Sequence, residues 1–255
     1  MKTYCKPATV NVEDWKFNEV AVIECFRNKR GRNDFQRLLC KTGKITKRQI
    51  AEDRLNQDFK RTLEAESEVA KMLTQRIVDR DLQLKPIRQF QRVDGLTQKL
   101  RDICQESPEQ QVFEYIAVFA LKPLFRAKIL PVQYGSIPKK GGVAGKRKIE
   151  RLLRKKFHGK VVAIKGDVTK AYPSVTVDIV MEMVGRDISK NKVLLWFLGC
   201  SYEQLSWEPS LHRRISSGMA VQLCYELCFE IHLSAGTDTQ RKAEQACLCG
   251  CMLCR

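Results

Sequence analysis

The stretch KVVAIKGDVTKAYPSVTVDIVMEMVGRDI, residues 160–188, decides the predicted fold. Residues 161–164 form a short apolar run between Gly159 and Gly166, which predicts a buried β-strand that runs into Asp167. Pro173 ends the extended segment, and the apolar residues after it recur at helical spacing: Val177, Ile179, Val180, Met183 and Val184. The order strand, carboxylate, proline, helix predicts an α+β fold with an acidic group at the end of a buried strand.

Asp167 is therefore the first candidate functional residue, with an aromatic residue, Tyr172, five positions later. A carboxylate at this place suits a hard divalent ion such as Mg²⁺ beside a nucleotide, although such ions usually need more than one carboxylate. The alternative interpretation is that Asp167 is an ordinary turn residue at the end of a strand.

The net charge of the chain indicates what class of partner it binds. The chain has 255 residues and a formal net charge of +17, which favours a polyanion, and nucleic acid in particular. A basic surface without any partner is the alternative. A hydrophobic content of 44% argues against wholesale disorder, and no apolar run approaches the roughly 20 residues of a membrane helix. The N-terminus MKTYCKPATVNVEDW lacks an apolar signal core, so we expect a cytoplasmic protein with no membrane partner.

The segment QYGSIPKKGGVAGKRKIERLLRKKFHGK, residues 133–160, carries much of this charge. Its glycines and Pro138 predict a loop, at Gly135, Gly141, Gly142 and Gly145, which feeds a helix with Ile149, Leu152, Leu153 and Phe157 on one face. The opposite face is basic, and glycine-rich turns at helix N-termini suit phosphate groups. No P-loop pattern is present, so an ordinary basic surface helix is an equal alternative.

Elsewhere the chain predicts mainly helices. Residues 46–83 show apolar residues at helical spacing, which predicts an amphipathic pair of helices: Ile50, Leu55, Phe59, Leu63, Val69, Leu73 and Ile77. Asp94-Gly95 predicts a short hairpin or extended arm within residues 84–107. A buried helix is expected to begin at Ser107-Pro108.

Two segments resemble bacterial reverse transcriptases of the group II intron and retron type. The first palm motif of that family is matched position by position by Asp167, Ala171, Tyr172, Pro173, Ser174 and Val175. Upstream, VFALKPLFRAKILPVQYGSIPKKGG is similar to the family's fingers segment, in which a helix ending in proline precedes a glycine-containing loop. The resemblance covers roughly residues 85–200.

The resemblance implies an RNA-directed DNA polymerase with right-hand fingers and a partial palm. Asp167, with the Val168 carbonyl, would bind the catalytic Mg²⁺ ions, and the Tyr172 ring would exclude a ribose 2′-hydroxyl and so select dNTPs. Arg101, Lys139 and Lys140 become candidate dNTP contacts. Contacts to an RNA template and a DNA primer or cDNA would come from Lys146, Arg147, Lys148, Arg151, Arg154 and Lys155.

The organisation expected from this resemblance is a helical region at 1–84, fingers at 85–160, a partial palm at 161–205 and a tail at 206–255. The family's second catalytic element, a Tyr-Ala-Asp-Asp hairpin, is missing, since the sequence contains no Asp-Asp pair. Two-metal nucleotidyl transfer needs that second source of carboxylates.

The C-terminal sequence ACLCGCMLCR offers an explanation for the loss. Read one base later, and with a TGA stop, its permitted codons allow Leu-Val-Tyr-Ala-Val-Val-Cys-Tyr-Ala-Asp-Asp. In the same shifted frame, the codons for HRRISSG and MAVQLCYELCFEI allow a segment that looks like the palm helix preceding the hairpin. We therefore expect a frame slip between about residues 200 and 211, with an out-of-frame tail after it.

Three functions remain open at this point. The first is a truncated reverse transcriptase of a retroelement, inactive as translated. The second is a non-catalytic RNA-binding protein that uses the basic fingers. The third is a Cys-rich metal-binding protein, because Cys247, Cys249, Cys251 and Cys254 are enough thiolates for a tetrahedral site, although their spacing lacks the separated pairs of common zinc sites.

Overall fold

A computed structural model describes residues 10–96, 98–128, 132–134, 137, 140–156 and 177–206, except for the side chains of Arg101, Cys104, Lys156 and residues 202–206. The helices in chain order are α1 (Trp15–Phe26), α2 (Asn33–Thr42), α3 (Lys47–Asn56), α4 (Lys60–Val78), α5 (Pro108–Lys128), α6 (Gly142–Lys156), α7 (Val177–Ile188) and α8 (Lys192–Ser206). Two strands, β1 (Arg88–Val93) and β2 (Leu100–Gln105), lie between α4 and α5. The described part is thus mostly helical with a small sheet, which agrees with the predicted α+β class.

The chain divides into two compact units. The first contains the described residues of 10–124 and 181–206, and the second contains those of 125–156 and 177–180. The predicted boundaries at residues 84, 160 and 205 remain predictions.

Helix α4 is the centre of the first unit, where it packs against α1, α2 and α3. Val69, Leu73 and Ile77 of α4 and Ile50 of α3 are fully buried, which confirms the predicted amphipathic pair. The side chain of Leu55 is instead 84% exposed, because α3 ends at Asn56, directly after it. Helix α3 begins with a capping box, in which Thr46 Oγ1 accepts from the Gln49 backbone N–H at 3.2 Å.

A glycine permits the close approach of α2 and α4. Gly43 follows the last residue of α2, and its N–H donates to the Leu39 carbonyl at 2.7 Å. A Cβ atom at this position would overlap the Ala65 Cβ and lie only 2.6 Å from the Ala65 Cα. Only the absence of a side chain lets the two backbones pack at this distance.

Two buried carboxylates accept hydrogen bonds and pair with arginines within the same bundle. Asp53 of α3 accepts from the Arg61 Nε at 2.9 Å, from the Thr62 N–H at 3.1 Å and from the Thr62 hydroxyl at 2.7 Å. Burial alone would raise the Asp53 pKa, but the hydrogen bonds from Thr62 and Arg61 and the Arg61 charge hold it below its usual value. Because Thr62 lies in the first turn of α4, Asp53 also caps that helix from the neighbouring one.

Glu66 of α4 is the second buried carboxylate. Arg30 binds it with two parallel bonds, from Nε to Oε1 at 2.7 Å and from Nη2 to Oε2 at 2.9 Å. Burial raises the Glu66 pKa by more than the Arg30 charge and hydrogen bonds lower it. The Arg30 guanidinium also lies over the Phe59 ring, 4.5 Å from its centroid.

The predicted hairpin is confirmed by the antiparallel pairing of β1 and β2. The register pairs Arg88 with Gln105, Phe90 with Ile103 and Arg92 with Arg101. Asp94 closes the turn, since its N–H donates to the Lys99 carbonyl at 2.9 Å and its carboxylate accepts from the Leu96 N–H at 3.0 Å. Every residue of β1 is exposed, so this strand stands away from the core.

Helix α5 begins at Pro108, as predicted, and buries Val112, Phe113, Ile116 and Leu121. Pro123 lies inside α5, which continues five residues past it, to Lys128. Loss of one backbone bond at proline costs about 3 kcal/mol. Burial of apolar residues on both sides of Pro123, Leu121 and Leu124, offsets a cost of this size.

Helix α8, which the sequence reading had not distinguished, completes the first unit. Phe197 meets Phe113 edge to face at 5.9 Å. The Arg80 guanidinium lies over the Trp196 ring at 4.8 Å, and the Asn191 amide donates to the Val10 carbonyl at 2.9 Å. These contacts join α8 to the end of α4 and to the segment that precedes α1.

We expect Gly43→Ala to lower the free energy of unfolding by about 1–3 kcal/mol, because the added methyl group meets backbone atoms that cannot move aside cheaply. Gly199→Ala, within α8, is the matched control. There the new Cβ lies in ordinary contact, 3.7 Å from the Met181 Cε, and alanine favours the helix by up to about 1 kcal/mol. Urea unfolding of both variants checks the prediction, and a stability loss of similar size in both would contradict it.

We expect Asp53→Asn to lower the free energy of unfolding at pH 7 by about 2 kcal/mol. The native pKa of Asp53 lies below its unfolded value, so its stabilisation is complete at neutral pH and is lost as the pH falls below about 4. The difference between wild type and variant should therefore shrink in acid, as measured by urea unfolding across pH 3–7.

Glu52→Gln is the control for this experiment. Glu52 is the neighbouring residue on α3 and contacts the same arginine, Arg61, at 3.6 Å, but its side chain is 42% exposed. We expect a change below about 0.5 kcal/mol. Equal effects of the two variants, or a difference for Asp53→Asn that does not depend on pH, would show that burial of the Asp53 charge is not the cause.

Candidate nucleic-acid interface

The N-terminus of α6 is formed by the glycine-rich segment. Gly141 adopts a φ of 144°, a conformation that side chains rarely allow, and the helix begins at the next residue. The Gly145 N–H already donates to the Gly141 carbonyl at 2.9 Å. Gly142 and Gly145 were predicted to lie in a loop, and this was wrong, since both lie within the helix.

The reason for glycine at position 145 is a close contact with Tyr134. A Cβ at Gly145 would lie 3.3 Å from the Cγ of that ring, tighter than a side chain normally packs. The tyrosine ring thus takes the place of a side chain on the buried side of α6. Because glycine has a low helix propensity, the sequence alone predicts no helix here and gives no sign of the contact with Tyr134.

The basic face of α6 is the set of cations on its solvent side: Lys146, Arg147, Lys148, Arg151, Arg154 and Lys155. At 100° per residue these positions cover a little over half of the helix circumference. All are exposed except Lys148, which is half-buried. The opposite side carries Ile149 and Leu152, both half-buried, and Leu153, which is 38% exposed.

Few negative charges balance this face. Glu150 is the single acid of α6, and it forms a long ion pair of 3.9 Å with Lys146, in which both side chains are largely exposed. Exposed pairs of this kind contribute little. Within the part of the chain that the structure describes, the other five cations of the basic face form no ion pair. Their charge is therefore available to an external anion.

Lys140 lies just before α6, and its Nζ sits over the Tyr134 ring at 5.4 Å from the centroid. Because Gly145 packs on the same tyrosine, this ring connects Lys140 to the first turns of the helix. The structure thus brings Lys140 together with the start of the basic face.

Arg101, the remaining described candidate, belongs to β2 and pairs in register with Arg92 of β1. Sequence reasoning missed Arg88 and Arg92 as exposed cations. Strand alternation, which places residues 88, 90 and 92 on one face, could have indicated them.

The remaining predicted site residues, Lys139, Asp167, Val168 and Tyr172, lie outside the described residues, as do the predicted strand at 161–164 and the cysteine-rich tail. Among the described residues, no three Cys, His, Asp or Glu side chains come together as a metal site. Every described helix is too short or too polar to cross a bilayer.

A separate group of titratable residues lies between α1 and α5. The Lys29 ammonium is 4.7 Å from the Tyr115 ring and 5.1 Å from the Phe35 ring, and it donates to Gln111 at 3.0 Å and to the Cys25 sulfur at 3.4 Å. Burial raises the pKa of Cys25 to about 11, and burial with the nearby Glu106 charge raises the pKa of Glu114 to about 8. A buried thiol of high pKa is a poor nucleophile, so this group favours packing over catalysis.

Comparison of the chain with protein-family models, with curated proteins and with solved structures found no match.

Proposed function

We propose that this chain is a protein of the reverse-transcriptase type, built from fingers and a partial palm, that binds RNA through the basic face of α6. The observation that carries RNA binding is the row of exposed cations that lack acidic partners among the described residues. The motif at Asp167, with Ala171, Tyr172 and Pro173, supports the reverse-transcriptase type.

Electrostatics gives the basic face its affinity. Each phosphate that a lysine or arginine neutralises releases condensed counterions, so the binding constant falls as salt rises. On a helix that rises 1.5 Å per residue, Arg147 and Arg151 are spaced by about 6 Å along the axis, and Arg154 follows after about 4.5 Å. Long, flexible side chains at this spacing contact successive phosphates without reading bases, which favours binding with little sequence preference.

The hydrophobic side of the helix positions this face. Gly145 is buried against Tyr134, and Ile149 and Leu152 are half-buried, so the arginines point away from the packed side. Lys140, held over the Tyr134 ring, extends the positive surface beyond the first turn of α6. Contacts of Lys140 and Arg101 with a dNTP, and selection of its sugar by Tyr172, remain predictions from the sequence resemblance.

A polymerase of this type needs a pair of carboxylates in addition to Asp167, and the 255 residues contain no Asp-Asp pair. Mg²⁺ would be the cofactor of an intact relative that has both Asp167 and the Asp-Asp pair. The chain described here is therefore proposed to bind RNA without extending a primer.

We expect the chain to bind a labelled 20-nucleotide oligo(U) with strong salt dependence. In the triple variant Arg147→Gln, Arg151→Gln, Arg154→Gln, the affinity at low salt should fall at least about tenfold. The slope of log K against log salt should become shallower by about 2, at roughly 0.7 per lost phosphate contact on a single strand. Fluorescence anisotropy over a salt series measures both quantities.

The matched control removes the same charge from the other unit, through Arg37→Gln, Lys41→Gln and Arg54→Gln. These three side chains are exposed on α2 and α3. Glutamine is a good helix former, so neither variant should unfold its helix. If the two triple variants lose affinity equally, net charge alone explains binding and the basic face has no special role.

We expect no incorporation when the chain is incubated with Mg²⁺, dNTPs and a primed RNA template, because Asp167 alone cannot hold two metal ions in reacting geometry. Gel analysis of the primer detects extension. Incorporation that Asp167→Ala abolishes would show that these 255 residues form a working polymerase site.

A further inference from the structure

The basic face of α6 contains an electrostatic conflict that the proposed function does not itself explain. Arg151 lies at its centre, with Arg147 four residues before it and Lys155 four residues after it. Lys148 and Arg154 lie three residues away on either side. Residues at these spacings are neighbours on a helix surface, and like charges there destabilise the helix by about 0.2–0.5 kcal/mol per pair.

Glu150 is the single acid of α6, and it has Lys146, Arg147 and Arg154 at these spacings, but not Arg151. The 3.9 Å pair of Lys146 with Glu150 is exposed and does not include Arg151. Gly145, in the interior of α6, is a glycine, which disfavours helix by close to 1 kcal/mol there.

Packing of α6 is also weak on its apolar side. Val143 is 68% exposed and Leu153 is 38% exposed, while Ile149 and Leu152 are only half-buried. By contrast, Leu73 and Ile77 of α4 are completely buried. Since most helical stability in proteins comes from a packed apolar face, α6 lacks the support that α4 has.

We propose that α6 is a conditional helix, whose formation is coupled to binding of the RNA phosphates by its basic face. This inference rests on the proposed function. Phosphate groups that bind among Arg147, Arg151 and Lys155 attract all three side chains and offset the repulsion between them. The helical form therefore binds RNA more tightly than the unfolded segment does. A ligand with that preference shifts the equilibrium toward the helix.

The coupling gives salt two opposite effects. Without RNA, added salt screens the repulsion between the cations and stabilises α6. With RNA, the same salt weakens binding and so removes the stabilisation that the phosphates provide. A preformed helix that only offers a docking surface would show the second effect without the first.

Hydrogen exchange of the full chain, followed by mass spectrometry, tests the coupling in peptides that cover 142–156. At 50 mM salt we expect the 20-nucleotide oligo(U) to slow exchange by about tenfold, and 300 mM salt without RNA to slow it by about twofold to threefold. Peptides that cover 60–78 of α4 provide the internal reference and should not change.

Bound RNA could also slow exchange simply by shielding the backbone of α6 from water. The variant Arg151→Glu avoids this ambiguity, because it tests the stability of the helix without RNA. It converts four repulsive neighbours into attractive ones, so exchange in α6 without RNA should slow by about tenfold, while affinity for RNA falls. Arg151→Gln, which only removes the repulsion, should lie between wild type and Arg151→Glu in its exchange rate.

The outcomes distinguish this inference from the proposed function. If Arg151→Glu exchanges no more slowly than wild type and salt alone has no effect, the conditional helix is refuted, even where RNA binding remains salt-sensitive. If wild type does not bind oligo(U), the proposed function fails, and RNA-induced protection of α6 fails with it, whatever the exchange of Arg151→Glu shows.

Discussion

The first unit depends on the pairing of two carboxylates that the fold removes from water. Asp53 and Glu66 are buried, and each would destabilise the bundle strongly without its arginine. Asp53 can meet Arg61 and Thr62 only if α3 ends where α4 begins, and Glu66 can meet Arg30 only if the segment after α1 lies along α4. These bonds therefore fix the helices in position as well as neutralising their charges. The apolar core of the same bundle includes Phe26 and Phe35, which are in edge-to-face contact at 4.9 Å.

Apolar periodicity and turn residues in the sequence predicted several of the local elements. The helix pair at 46–83, the hairpin around Asp94-Gly95 and the helix from Pro108 are all present, because local spacing and turn chemistry are enough to specify them. Contacts between distant residues were not predictable in this way. The close approach at Gly43 depends on Ala65, and the continuation of α5 past Pro123 depends on burial of Leu121 and Leu124. A single sequence carries no signal for either.

The candidate interface was predictable in its charge but not in its geometry. A dense run of lysine and arginine with Ile149 and Leu152 on the other side predicted a basic amphipathic helix, and α6 is that helix. Its start was misplaced because glycine has low helix propensity, whereas Gly145 is needed for the contact with Tyr134. Arg88 and Arg92 were missed because their exposure depends on how far the hairpin stands from the core. The carboxylate at position 167 remains a prediction, outside the described residues.

The position of Lys29 has a consequence for chemical mapping of the surface. Its amine lies against the Phe35 and Tyr115 rings and donates to Gln111, so an acylating reagent has a hindered path to it. Lys146 and Lys155 are open to the same reagent. Acylation in the presence and absence of a bound polymer therefore reports on exposed amines, those of α6 among them, with little contribution from Lys29.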